Sequence, residues 1–206
     1  MAPPKDIHDI FAFLGEAGKL GHIERRTSPI GLTRRENTAE HSYHLALMAM
    51  VLADEIDPEV DLNKVIRMLI VHDLPEVYAD DSFIFTRDAN QSEIERKAAH
   101  QLFGMLPPKR RDEFLALWEE FEAGETPEAI FARAMDRLQP TFNNYHNDGG
   151  TWVEFGISAD QVIAKNEPIR TVSASVWAKM LSLLDEAKTK GYFASSAKTK
   201  KTGTDA

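Results

Sequence analysis

Residues 62–73 predict a helix that is apolar nearly all round, with Leu62, Val65, Ile66, Met68, Leu69, Ile70 and Val71 spread over its surface. Such a helix has to be covered by other elements, which puts it at the centre of a domain built of packed helices. The apolar run leads directly into His72-Asp73, and Glu76 follows one helical turn later. An imidazole and two carboxylates set where a buried helix ends must be hydrogen-bonded, paired or bound to a cation. No Lys or Arg lies between Met68 and Thr86 to serve as the partner, so a metal ion is the economical solution. His72 and Glu76, four apart, share one helix face, with Asp73 turned by about 100° from His72. Pro75 marks a break or bend just after the pair. A His-Asp dipeptide alone specifies no metal site, so further ligands are needed from elsewhere in the chain.

The ligand chemistry is restricted by composition. The chain of 206 residues has no cysteine, which removes disulfides, thiolate zinc sites and cysteine nucleophiles together. A metal held by His and carboxylate alone points to Mn, Co, Fe, Zn, Ni or Mg. The net charge of −9 argues against binding to nucleic-acid polymers, which calls for basic stripes. A small phosphorylated substrate is still compatible, because a metal and one or two arginines reverse the local field. With no apolar run near 18 residues and no apolar signal core after Met1, a cytoplasmic chain without membrane association is expected.

Other helices follow from periodicity and breakers. Residues 7–20 carry Ile7, Ile10, Phe11, Phe13, Leu14, Ala17 and Leu20 at helical spacing, with Asp6 as a cap candidate. A breaker-rich loop from Gly21 to Gly31 holds Arg25 and Arg26 and is mobile unless anchored. A second helix starts at Thr38, taken as its N-cap, and runs to Asp57-Pro58. His41 and His44 near its start share a face and could form a two-histidine clip, or His44 could be a satisfied histidine of core or surface. Ser82 to Thr86 reads as a short strand or a covering loop. Residues 91–105 and 109–122, separated by Pro107-Pro108, read as helices charged on one side and lying outside the core. Thr126-Pro127 starts another helix, in which Asp136 lies close to an apolar stripe. A surface loop is expected after Phe142, closing helices over 158–166 and 172–190, and a disordered polar tail over 194–206 after a folded domain of 1–193. No 20- to 50-residue repeat and no glycine-rich phosphate fingerprint occurs.

His41, His72-Asp73 and Asp136 thus stand on three predicted helices, each near apolar surface, which suits a mixed nitrogen and oxygen site in a bundle core. In that order they resemble the signature of the HD-domain metal-dependent phosphohydrolases, in the branch that holds the 5′-deoxynucleotidases. Three blocks carry the resemblance: Arg35-Glu36-Asn37-Thr38-Ala39-Glu40-His41-Ser42, then His72-Asp73-x-x-Glu76 with Asp81 beyond it, then Ala134-Met135-Asp136-Arg137-Leu138. It extends from about Phe11 to Tyr192.

The resemblance implies an all-α HD-domain bundle with a divalent metal ion in its core, held by His41, His72, Asp73 and Asp136. It makes Glu76 the catalytic acid or base, and Asp81 a contact to substrate or to a second ion. Arg26, fifteen residues before His41, becomes the arginine that grips phosphate, with Arg25 adjoining it. Thr27 stands where these enzymes usually carry an aromatic residue, and Asp80 where a small residue is common. The implied activity is phosphomonoester hydrolysis, most simply of nucleoside or deoxynucleoside 5′-monophosphates, by a homodimer. A divalent ion activating water and phosphoryl oxygen is chemically sufficient for that reaction. Three other readings compete: a metal- or nucleotide-binding sensing module without turnover, a hydrolase of signalling nucleotides, and a di-iron oxygenase, for which His100 is the one additional histidine between Asp73 and Asp136.

Overall fold

The structure, a computed structural model, describes residues 7–56, 59–85 and 90–193. The expected Asp6 cap, the end of the second helix at Asp57-Pro58, Thr86 and the polar tail lie outside them. Among the described residues the regular structure is helical, with two extended segments meeting at one antiparallel bridge, Glu24 to Asn37. The helices are α1 (Ile7–Ala17), α2 (Thr38–Leu52), α3 (Leu62–Val71), α4 (Glu76–Ala79), α5 (Gln91–Phe103), α6 (Pro108–Ala123), α7 (Pro127–His146), α8 (Gly150–Glu154), α9 (Ala159–Asn166), α10 (Ile169–Val172) and α11 (Ala174–Lys190). Short 3-10 turns extend α1 and α2.

The central helix is α3, packed on α2, α6 and α7. It belongs to two apolar clusters at once. Val65, Met68 and Leu69 join Leu45 and Ala49 of α2, Phe131 and Met135 of α7, and Met180 and Leu184 of α11. Val71 joins Phe13, Leu102, Phe103, Leu117 and Trp118 in the second. The expectation that 91–105 and 109–122 lie outside the core is therefore corrected: their charged faces are outward, but their apolar faces close the second cluster. Ile70 remains 47% exposed, so α3 is covered on most of its circumference rather than all of it.

Local chemistry sets the helix ends. The cap of α2 is Asn37, not Thr38: Asn37 Oδ1 accepts from Glu40 N (2.9 Å), and Glu40 Oε2 accepts from Asn37 N (3.2 Å). This reciprocal pair satisfies two amides that lack helical partners. It leaves the Thr38 hydroxyl free to turn inward. Thr126 caps α7 as expected, with Pro127 in its first turn. The stretch from Phe142 to Trp152 opens as the last turn of α7, which continues to His146 across Pro140, and its turn-forming part is the short turn at 147–149. The chain then turns at Gly149, φ 93°, where a Cβ would fall 2.7 Å from Val153 Cγ2. The expected closing helix 172–190 is split at Ser173, which caps α11 through Val176 N. Ser82 to Phe85 form no strand.

Candidate metal centre

Asp73 and its neighbours come together at the C-terminal end of α3, on the seam between the two clusters. His72 caps that helix, residues 72–75 turn, and α4 begins at Glu76. From α2 comes His41, fully buried. His41, His72 and Asp73 each offer one ligand atom, and these three atoms lie within 4.8 Å of one another. His72 Nε2 is 3.1 Å from Asp73 Oδ2, and His41 Nε2 is 3.8 Å from the same oxygen. From α7, Asp136 brings Oδ1 to 3.1 Å from His41 Nε2. The four residues expected as ligands are thus brought to one place.

The donor set suits a cation. His72 Nδ1 lies 2.8 Å from the carbonyl oxygen of Leu69, which can only accept, so Nδ1 carries the hydrogen and Nε2 of the neutral ring presents a lone pair. That Nε2 is buried and makes no hydrogen bond despite the nearby carboxylate. A buried nitrogen lone pair beside two carboxylates is the arrangement a divalent ion satisfies.

Around this group stands an acidic shell with one half-buried guanidinium, that of Arg25. Arg25 Nη1 is 3.1 Å from Asp73 Oδ2, 3.2 Å from Asp81 Oδ1 and 4.0 Å from Glu76 Oε1. Burial works against the charge of Arg25, but Asp81, Asp73 and Glu76 hold it more firmly protonated than a free arginine. Burial pushes the Glu76 carboxyl well above the usual carboxylate range, with Asp73 adding to the rise. The Thr38 hydroxyl donates to Glu76 Oε2 (2.9 Å). Asp81 is likewise raised by burial, Arg25 working against the rise. For Asp73, burial is outweighed by His72 and Arg25, and for Asp136 by the bond to His41 and the charge of Arg137; both carboxyls lie below their ordinary value. Burial disfavours charge on His72, yet Asp73 raises that imidazole overall.

The arginine that reaches these carboxylates is Arg25. Residues 23–25 run extended against 36–38 and the chain bends at 26–27, held by Thr38 N to Ile23 O (2.9 Å), Arg25 N to Glu36 O (2.8 Å) and Glu36 N to Thr27 O (2.9 Å). Successive side chains alternate along this paired segment, so Arg25 and Thr27 face inward and Arg26 faces out. Arg26 is exposed and lines the outer part of the same pocket. Its side chain has no ion pair among the described residues. The loop that follows is anchored, because Asn147 Nδ2 donates to Ser28 O (2.9 Å) and Gly31 N donates to Asn147 Oδ1 (2.9 Å).

Several contributors had no distinct signal in sequence. Thr38 read as a cap, and Glu36 as part of a motif without a role. Glu36 is 2% exposed and accepts from Gln139 Nε2 (2.6 Å), Thr27 Oγ1 (3.2 Å) and Asn143 Nδ2 (3.3 Å). Gln139 Oε1 is 3.0 Å from His41 Nδ1. His44 does not join the metal group; its Nδ1 is 3.3 Å from Gln139 Nε2. Asp80, the C-cap of α4, is exposed at φ 59° and ψ 160°. His100 is exposed on α5 and does not line the pocket. The pocket wall beyond the carboxylates includes Phe83, Phe85, Arg137 and Lys165.

Comparison with known proteins accords with this arrangement. The HD-domain family model matches residues 17–177. A crystal structure of a predicted metal-dependent phosphohydrolase from Magnetospirillum magnetotacticum MS-1 is 43% identical, superposes with a TM-score of 0.88, and matches 93% of this chain and 97% of that one. A 5′-deoxynucleotidase of Homo sapiens is 30% identical over 135 residues, 63% of this chain and 64% of its own length. One from Schizosaccharomyces pombe is 25% identical over 118 residues, 53% of this chain and 57% of its own length. The match therefore spans less than two thirds of these curated relatives. A protein from Pyrococcus horikoshii OT3, 22% identical with a TM-score of 0.62 over 87% of this chain and 99% of that one, shares the fold.

Proposed function

The chain belongs to the HD-domain family, and from that premise we propose that it is a metal-dependent phosphomonoesterase, releasing nucleoside and phosphate from nucleoside or deoxynucleoside 5′-monophosphates. One observation carries the reading: His72 and Asp73, grouped with the buried His41, line a pocket together with a guanidinium, Arg25, and a carboxyl, Glu76, that a purely structural metal would not require. The relatives named 5′-deoxynucleotidase support the substrate class.

A divalent ion, one of Mn, Co, Mg, Zn, Fe or Ni, would be held by His41, His72, Asp73 and Asp136 and would supply Lewis acidity to water and phosphoryl group. The protein's own groups have the remaining work. Arg25 is close enough to the ligands for its planar fork to bind non-bridging phosphate oxygens, with Asp81 holding the guanidinium in place until substrate arrives. Arg26, at the exposed rim, draws the anion inward. Glu76 moves the proton to or from the attacking water or leaving oxygen, and the hydroxyl of Thr38 fixes which of its oxygens is free. Phe83 and Phe85 give the leaving group an apolar wall, and Phe83 packs at a tilt on Phe155 with ring centroids 5.0 Å apart. The setting we propose is a cytoplasmic homodimer: no described helix is long and apolar enough to cross a membrane, and α2 exposes Tyr43, Leu47, Met50 and Val51 in one apolar stripe.

The test is phosphate release from a panel of ribo- and deoxyribonucleoside monophosphates by metal-stripped protein refilled with each ion. Metal-dependent release is expected, falling by about 10²- to 10⁴-fold in Glu76→Ala while metal binding persists. Tight metal binding without release under any ion would discard the esterase and favour a metal- or nucleotide-binding sensing module.

A further inference from the structure

We propose that Gln139 and Glu36 are positioning residues that decide which nitrogen of His41 carries its hydrogen, leaving Nε2 as a lone-pair donor to the candidate metal centre, an inference that rests on the metal-site reading above. Every polar atom of Gln139 is engaged. Its Oε1 is 3.0 Å from His41 Nδ1, and its Nε2 is 2.6 Å from Glu36 Oε1 and 3.3 Å from His44 Nδ1. A carboxylate only accepts, so the amide NH₂ must face Glu36, and the amide oxygen must face His41. An amide oxygen only accepts as well. In the neutral ring the hydrogen of His41 is thereby placed on Nδ1, and Nε2, 3.1 Å from the Asp136 carboxylate, keeps its lone pair for a cation held between them.

Turning the amide round would oppose two acceptor oxygens at Glu36 and offer an N–H to His41 Nδ1. The imidazole would then carry its hydrogen on Nε2 and present a donor where a metal needs a lone pair. The polarity of Glu36 is in this way transmitted through one side chain to the ligand. Bulk water cannot substitute in the chain, since His41 and Gln139 are fully buried and Glu36 nearly so. Glu36 is itself pinned by Thr27 and Asn143. The two histidines achieve the same tautomer by different means. His72 uses the backbone carbonyl of Leu69, which no substitution removes, whereas His41 depends on two side chains. Gln139 follows Asp136 by three residues on α7, so one helix face delivers both a ligand and the group that orients another.

The experiment measures Mn(II) affinity of the full-length metal-stripped protein by calorimetry, with imidazole tautomers read by long-range ¹H–¹⁵N correlation spectra. Gln139→Leu is expected to weaken Mn(II) binding by about 10- to 100-fold and to release the His41 tautomer from Nδ1–H. Gln139→Glu, which sets two carboxylates against each other, should lose a similar amount. The double variant Glu36→Gln with Gln139→Glu restores a donor at 36 and an acceptor at 139 in the original sense, and should recover most of the affinity. A merely structural amide predicts no such recovery, so a double variant as weak as the singles would overturn the inference, as would Gln139→Leu with unchanged affinity and tautomer. If the unmodified protein bound no Mn(II), the metal-site reading would fall, while the His41 tautomer in that same protein would still decide the role of Gln139.

Discussion

At the scale of single residues the site turns on alternation. Arg25 and Arg26 are adjacent and chemically identical, yet one guanidinium is half-buried among three carboxylates and the other is exposed at the rim. What separates them is the backbone pairing of 23–25 with 36–38 and the bend at 26–27 that follows it, which send the two successive side chains to opposite faces. Arg25→Gln is therefore expected to raise KM for a phosphomonoester by about 10- to 100-fold, the worth of a charge-assisted hydrogen bond. The same change at Arg26 should have a much smaller effect that fades with added salt, as expected of an exposed charge. Steady-state kinetics at two ionic strengths compares them; equal losses from both variants would contradict the assignment.

At the scale of elements, the junction of α3, the 72–75 turn and α4 is the piece on which the site is built. It places His72 and Asp73 at a helix end and Glu76 at the next helix start, then leaves α4 through Asp80 at φ 59° and ψ 160°. That backbone region is one essentially only glycine occupies without strain, which costs about 1–3 kcal/mol for other residues. Asp80 is exposed and makes no side-chain bond among the described residues to offset it. Asp80→Gly is expected to stabilise the fold by about 1 kcal/mol after glycine's own entropic cost, raising Tm by about 2–4 °C. A lower melting temperature in the variant would show that the Asp80 side chain, not its backbone, matters.

At the scale of the molecule, the candidate metal centre sits on the seam where the two apolar clusters meet, and its groups come from α2, the α3–α4 junction, α7 and the segment 23–27. An ion bound there ties these elements together, and binds the folded chain in preference to the unfolded one. Mn(II) at about a hundred times its Kd should add about 2.7 kcal/mol of stability, and chelation should remove it. For a chain of this size that is a shift in Tm of about 5–10 °C. Thermal unfolding with and without chelator measures it, and no shift would mean that the four candidate ligands do not act as one site.

The helical class, the centrality of α3 and the identity of the ligand candidates were legible in the amino-acid order alone. Those depend on local pattern: apolar spacing, breakers, and a His-Asp pair at the end of a buried run with no basic neighbour. Even the cap of α2 was within reach, since Asn37 and Glu40 have the capping-box spacing. Packing alone fixes which of two arginines turns inward, that α5 and α6 close a second core, and that Thr38 meets Glu76 while Glu36 and Gln139 line up behind His41. Gln139 meets Glu36 across 103 residues of chain and His41 across 98. Nothing in the local pattern of a glutamine on a helix indicates what it will face, because a buried amide is fixed by partners that only the packing of α2 against α7 brings within reach.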